Sequence, residues 1–152
     1  MKSFHSTVFY LNQNANDRIY PMKRRWIEYT EHWTQGPMTI WVHVPSDADS
    51  KVLNPPAPNL IPGKGYAVYY VEVEGFTFQF ASLSEMRVCI DTLGKKLLPN
   101  TLRLAQERGG DPHEHWLRKM PDQTKPWRCR EKMVKYLEKV LEEFEKDPGR
   151  TV

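Results

Sequence analysis

The chain has 152 residues, 12 of them proline, a formal net charge of +3 at pH 7 and 39% apolar residues. That length suits one domain able to bury its own core without staples, and so small a net charge selects no partner. No apolar run approaches the roughly 20 residues needed to span a bilayer, and the opening Met1-Lys2-Ser3-Phe4-His5 lacks the apolar block of a signal peptide. These features predict a cytoplasmic protein with no membrane partner. Cys89 and Cys129 both fall inside predicted helices, which favours reduced thiols over a disulfide or a metal pair.

In chain order, Phe4 to Leu11 reads as a strand and the polar Asn12 to Asp17 as a loop. Met22, Trp26, Tyr29 and Trp33 have helical spacing with Gly36-Pro37 as a stop, so residues 21–34 are expected to be helical, although Trp26 to Trp33 is also strand-like in composition. Pro37 to Val44 reads as a strand with Met38, Ile40, Val42 and Val44 on one face and Thr39, Trp41 and His43 on the other. Pro45 to Gly65, with five prolines and almost no periodicity, is a long loop, and loops of this length usually have a function or lack order.

The clearest signal runs from Tyr66 to Leu97. Tyr66 to Val73 and Phe76 to Phe80 are rich in aromatic and β-branched residues and are separated only by Glu74-Gly75. A two-residue loop pairs Val73 with Phe76, Val71 with Phe78 and Tyr69 with Phe80 on one face, and Glu72 with Thr77 and Tyr70 with Gln79 on the other. A slip of one residue would expose three phenylalanines, so pattern and turn length agree on the register. Ser82 and Glu85 then have capping-box spacing, and Met86, Cys89, Ile90, Leu93 and Leu97 share a helical face over Leu83 to Leu97, stopped by Pro99.

A short helix is expected at Thr101 to Arg108, ending at Gly109-Gly110. Another should start from Asp111 as cap with Pro112 in its first position and Trp116, Leu117 and Met120 on its apolar side. After Pro121 to Thr124 a longer helix runs to about Lys146, with Trp127, Leu137, Val140, Leu141 and Phe144 along one stripe. Strands and helices not in βαβ order imply a single α+β domain over 1–152. It should have a mainly antiparallel sheet of about four strands, helices on one face and a helical C-terminal half.

No motif of high chemical specificity is present. His113-Glu114-His115 suggests metal or acid–base chemistry, but ligands at i and i+2 of a helix point about 200° apart, whereas zinc helices use i and i+4. No metal and no cofactor are therefore expected. There is no Gly-x-Ser-x-Gly elbow, and Gly63-Lys64-Gly65 lacks the spacing of a phosphate loop. Glu72 and Glu74 share a strand face, as paired carboxylates would, and equally suit a solvated hairpin end. No catalytic residues are assigned, and whether the chain is an enzyme stays open.

Two binding surfaces compete. The aromatic side of the sheet would gather Trp41, His43, Tyr66, Tyr70 and Gln79, aromatic bodies with polar tips of the kind enriched where proteins recognise ligands or each other. The leading expectation is therefore a non-catalytic binding or interaction domain that uses this face and the adjoining Pro-rich loop. Its partner would be another protein or a second copy of the chain, with a small-molecule ligand as a further option. The first alternative is weak, sequence-unspecific nucleic-acid binding through Arg24, Arg25, Arg128 and Arg130, with nearby tryptophans to stack on bases. A small hydrolytic or metal-dependent enzyme is the second. One oddity bears on the basic residues: Arg128, Arg130 and Lys132 crowd the amino-terminal half of the last helix and Glu138, Glu142, Glu143 and Glu145 its carboxyl half, the reverse of what the helix dipole favours.

Overall fold

The computed structural model describes residues 22–47, 49 and 51–146. Its regular elements are β1 (Arg24–Thr30), α1 (Thr39–Val42), β2 (Val44–Pro45), β3 (Leu53–Asn54), β4 (Tyr66–Val73), β5 (Phe76–Phe80), α2 (Leu83–Leu93), α3 (Thr101–Arg108), α4 (Trp116–Lys119) and α5 (Trp127–Lys146). β1, β4 and β5 form an antiparallel sheet in that spatial order, and β2 with β3 makes a separate two-stranded ladder. The fold is α+β with a helical C-terminal half, as the sequence predicts, though the strands divide into three and two. The strand expected at Phe4 to Leu11 and the loop after it lie outside the described residues.

The hairpin has the expected register, Val73 opposite Phe76, Val71 opposite Phe78 and Tyr69 opposite Phe80. Its turn places Glu74 at φ 53° and Gly75 at φ 76°, the left-handed pair that matches strand twist in a two-residue loop. The face carrying Val71, Val73, Phe78 and Phe80 is fully covered, and Phe78 stacks on Phe80 at 5.7 Å between ring centres. Met86, Cys89 and Leu93 of α2 and Met133, Leu137, Val140 and Phe144 of α5 belong to the same core. Tyr69 meets Phe144 edge-on at 4.9 Å, which joins sheet to C-terminal helix.

Two segments depart from the sequence reading. Residues 21–34 are not helical: Arg24–Thr30 is a strand paired with β4, Trp26 opposite Tyr70 and Arg24 opposite Glu72. Helical spacing among Trp26, Tyr29 and Trp33 was offset by alternation in Arg-Arg-Trp-Ile-Glu-Tyr-Thr, and with β4 available as a partner the alternation prevailed. Pro37 to Val44 is not a strand either. Met38, Trp41 and Val42 are buried while Ile40 is 65% exposed, the i, i+3, i+4 pattern of a helical turn. Its end still pairs, Val44 with Asn54 and Pro45 with Leu53, so the Pro-rich loop contains a small ladder.

Helix ends show the local chemistry at work. Ser82 Oγ accepts the Glu85 N–H (3.1 Å) to start α2, but the Glu85 carboxylate reaches back to the Ala81 N–H (2.9 Å) rather than to Ser82, one residue beyond a standard capping box. α2 stops at Leu93, short of the expected Leu97, which is 87% exposed. Asn100 caps α3, and Gly109 at φ 72° closes it. Asp111 caps only a 3₁₀ turn at Pro112–Glu114; His115 then turns extended and its Nδ1 accepts the Leu117 N–H (3.1 Å) to start α4.

The reversed charges of α5 are explained by neighbouring elements. Arg130, 3% exposed, donates from Nε to the Lys125 carbonyl (2.6 Å), from one terminal nitrogen to the carbonyls of Leu93 (2.9 Å) and Lys95, and from the other to that of Lys96 (2.8 Å). The guanidinium therefore caps the carboxyl end of α2, where a helix dipole favours a cation. At the other end of α5, Glu143 accepts from Arg25 of β1 (2.8 Å) and Glu145 from Arg87 of α2. Arg130→Ala should lower stability by about 3 kcal/mol, because several partly or fully buried carbonyls lose a charged donor. Arg130→Lys should recover little, since an ammonium lacks the planar fork. Arg128→Ala, at an exposed position, should fall within about 0.5 kcal/mol of the parent. Urea titration of the three variants checks the order.

Candidate functional site

The sheet face opposite the core carries Trp26 and Glu28 from β1, Tyr66, Val68 and Tyr70 from β4, and Thr77 and Gln79 from β5, as strand alternation requires. Trp26 stacks on Tyr70 with ring centres 5.1 Å apart and planes 4° apart, and the Arg24 guanidinium lies 4.7 Å from the Trp26 ring centre. Beside this stack a cleft of about 510 Å³ opens over the sheet. Val68, Tyr70, Thr77 and Gln79 make its floor, Glu28 and Thr30 one side, and His32, Trp33, Gln35 and Gly36 the other, with Ala81 at the end. The lining is mixed, with rings for flat apolar groups and amide and hydroxyl groups for hydrogen bonding. Burial, and then the nearby Glu28 carboxylate, push the Tyr70 phenol above its ordinary range, so it remains a neutral hydroxyl.

Trp33 separates the cleft from a buried polar cluster. Its ring meets Tyr66 at 6.3 Å on one side and His43 edge-on at 5.3 Å on another. Behind it, Glu85, with no exposed surface, accepts from Thr39 Oγ1 (3.0 Å) and the Ala81 N–H, and lies 3.4 Å from His43 Nε2. His43 Nδ1 faces the Pro55 carbonyl at 2.9 Å; a carbonyl only accepts, so Nδ1 carries a proton. Nε2 lies 2.9 Å from Ser82 Oγ and 3.4 Å from a Glu85 oxygen, so the ring joins the serine and the acid. A hydroxyl on an imidazole has the form of a nucleophile and base. Ser82 and His43 are 8% and 5% exposed and do not line the cleft, so this pair braces the fold. Gly36 lets the segments close: a Cβ there would come within 2.8 Å of Thr39 Oγ1.

The structure gathers only part of the expected aromatic site. Tyr70 and Gln79 line the cleft and Tyr66 stands beside it against Trp33. His43 lies behind Trp33 in the buried cluster. Trp41, expected on the sheet face, projects from α1 into the core, 4.6 Å from the His115 ring, where even a Cβ on Gly110 would come within 2.6 Å of it. Burial lowers the His115 pKa, consistent with its accepting role at the start of α4. Residues that the sequence reading missed are Trp33, Glu28, His32 and Gln35. Glu28 lies on β1, whose alternation was its signal, and reading that segment as a helix concealed it; His32, Trp33 and Gln35 lie just past the strand, at a 3₁₀ turn over Trp33–Gln35 that carried no separate signal.

The arginines proposed for nucleic acid do not converge. Arg24 donates to Glu72 (2.7 Å), Arg25 to Glu143, and Arg130 to carbonyls; the exposed Arg128 stands apart from all three in role. Among the described residues no three His, Cys, Asp or Glu side chains are placed to hold a metal ion together, and His113 and Glu114 are exposed while His115 is buried. Neither cysteine is in a disulfide, and desolvation raises both thiol pKa values, most strongly for Cys89. No helix among the described residues is long and apolar enough to cross a membrane. Compared with family models, curated proteins and solved structures, the chain gives no match.

Burial raises the Glu85 carboxyl pKa above its ordinary value, an effect only partly offset by the Ala81 and Thr39 hydrogen bonds and by His43. The folded state thus holds this proton more tightly than the unfolded one. Its stabilising contribution is complete below the ordinary glutamate range and is lost as pH rises through the elevated value. Glu85→Gln, which keeps an acceptor and cannot ionise, should remove that component. Urea midpoints of the parent should fall more steeply than those of the variant between about pH 4 and pH 8. Parallel curves would show that Glu85 does not titrate differently on folding.

Proposed function

We propose that the chain is a non-catalytic binding domain whose ligand is a small molecule seated in the cleft over the β1–β4–β5 face. The observation that carries this reading is the cleft itself, about 510 Å³ in volume, floored by a rigid sheet and walled by Trp33. That volume lies in the range of ligand pockets, and apolar rings with a few convergent polar groups are their usual lining. Trp33 and Tyr70 suit a flat unsaturated ring, and Gln35, Thr77 and Gln79 suit its carbonyl, amide or hydroxyl substituents. The chemistry asks nothing reactive of the protein, in keeping with the burial of Ser82 and His43. Two cysteines outside any disulfide agree with a reducing compartment, and we place the protein in the cytoplasm on that ground.

Nucleic-acid binding is the weaker reading because three of its four arginines serve intramolecular contacts, leaving few cations to neutralise phosphate. The test is a screen of planar heteroaromatic fragments against the intact protein, read by tryptophan fluorescence and native mass spectrometry. For a fragment that binds, Trp33→Ala and Gln79→Leu should each weaken affinity about 10- to 30-fold, as expected of hot-spot contacts. Because Trp33 also packs against Tyr66 and His43, Trp33→Ala should lower the urea midpoint, whereas Gln79→Leu, at a half-buried cleft position, should leave it nearly unchanged. Fragments that bind both variants as tightly as the parent would place the site elsewhere.

A further inference from the structure

Alternation along β5 sends the side chains of Thr77 and Gln79 to the cleft face, where Gln79 stands opposite Tyr70 and the buried Val68 makes the apolar centre of the floor. Other polar groups around that floor are engaged. Thr30 Oγ1 accepts the His32 N–H (3.0 Å), Glu28 accepts the Trp26 indole N–H (2.9 Å) and Glu72 accepts from Arg24 (2.7 Å). Gln79 and Thr77 differ. Both are half-buried, and among the described residues neither the Gln79 amide nor the Thr77 hydroxyl makes a hydrogen bond to another part of the chain. Such an amide is satisfied from the cleft, by water or by a ligand.

An amide holds an N–H donor and a carbonyl acceptor side by side in one plane. A carboxylate only accepts and an ammonium or guanidinium only donates, so either would match half of it and leave the other half without the water it lost. A neutral ring whose edge carries an adjacent donor and acceptor matches both halves, the pairing by which amide side chains read an adenine edge. Charge points the same way. Among the described residues no lysine or arginine lines the cleft; its ionisable side chains besides tyrosine are Glu28 and, at the exposed rim, His32. A phosphate or carboxylate would be desolvated there with no lysine or arginine to meet it.

We propose that the cleft takes an uncharged heterocycle of the nucleobase class, a lactam or amino-azine ring without phosphate or carboxylate, held by paired hydrogen bonds to the Gln79 amide. The inference rests on the cleft being the binding site and adds which edge of the ring is read there. The ring lies over Val68 beside Trp33 with its donor–acceptor edge toward Gln79. Thr77, on the same strand face at the two-residue spacing of about 7 Å, meets a polar substituent.

The probes are three bicyclic rings of similar size: isoquinolone, whose lactam carries both groups; its N-methyl derivative, which lacks the donor; and an isoquinoline carboxylate, which is an anion. Each is titrated into the full chain by calorimetry and by NMR of the side-chain amides. Isoquinolone should bind at least about tenfold more tightly than either of the others, the difference expected from one well-made hydrogen bond, and should shift the Gln79 side-chain amide protons. Gln79→Met, of similar length and without a hydrogen-bonding group, should abolish that preference and leave the affinity for the N-methyl ring within about threefold of the parent, the mark of direct coupling between the two edges. The amide shift in the parent decides the matter even if the variant folds poorly. Equal affinity for isoquinolone and its N-methyl derivative, or Gln79 side-chain signals unmoved by bound isoquinolone, would overturn the pairing while leaving the cleft as a binding site. Tighter binding of the carboxylate would overturn the uncharged class. Binding by none of the three would overturn the proposal together with the cleft reading on which it rests.

Discussion

Glu85 is the constraint around which the middle of the chain is arranged. A carboxyl group without solvent contact must have its oxygens satisfied internally, and here the partners come from different segments: the Ala81 N–H and the Thr39 hydroxyl, with the His43 ring alongside. To bring Thr39 to that oxygen, the segment after Gly36-Pro37 must curl rather than extend, and curling is what directs Met38, Trp41 and Val42 inward and Ile40 outward. His43 then fixes the Pro-rich loop through the Pro55 carbonyl. One buried acid thereby sets the backbone of α1, the seat of the loop and the start of α2.

The cleft follows from the same arrangement. Trp33 stands where it does because the 3₁₀ turn carrying it lies between β1 and α1, with His43 behind its ring and Tyr66 beside it. Helices cover one face of the sheet, and on the other the cleft is framed by β1 and this turn. Mixed lining is the consequence: the side chains there that alternate out of phase with Val71, Val73 and the phenylalanines are Tyr70, Thr77 and Gln79, each compatible with both water and a neighbour, with Val68 adding an apolar patch to the floor.

Legibility in the sequence tracked how many independent signals agreed. For β4 and β5, composition, alternation and a two-residue turn all specified one register, and the structure has it residue for residue. Ser82, Gly109 and the long apolar stripe of α5 likewise announced element ends and faces through local chemistry. Residues 24–30 and 37–44 failed because each is about two turns or fewer, a length over which period 3.6 and period 2 share several positions. What decided them was nonlocal: the availability of β4 as a partner in one case, the Glu85 carboxylate in the other. The site was half legible for the same reason, since Tyr66, Tyr70 and Gln79 belong to the hairpin while Trp33 and Trp41 belong to the short segments.

The arginines illustrate how charge in a sequence is misread when only its own helix is considered. On α5 alone, Arg130 near the amino end and Glu143 and Glu145 near the carboxyl end oppose the dipole at about 0.3 to 1 kcal/mol each. In the folded chain Arg130 satisfies the carbonyls at the end of α2, while Glu143 and Glu145 meet Arg25 and Arg87. The cost on one helix is offset by caps and pairs on its neighbours, and the charges fix the relative placement of three elements. Basic residues interleaved with aromatics are thus accounted for by the architecture: Arg24 over Trp26, Arg25 against Phe144 and Arg130 over Trp127 each place a guanidinium by a ring while its nitrogens serve an oxygen elsewhere in the fold. A pattern that suggests phosphate recognition in one dimension is, in three, the means by which a small sheet and its helices are locked together.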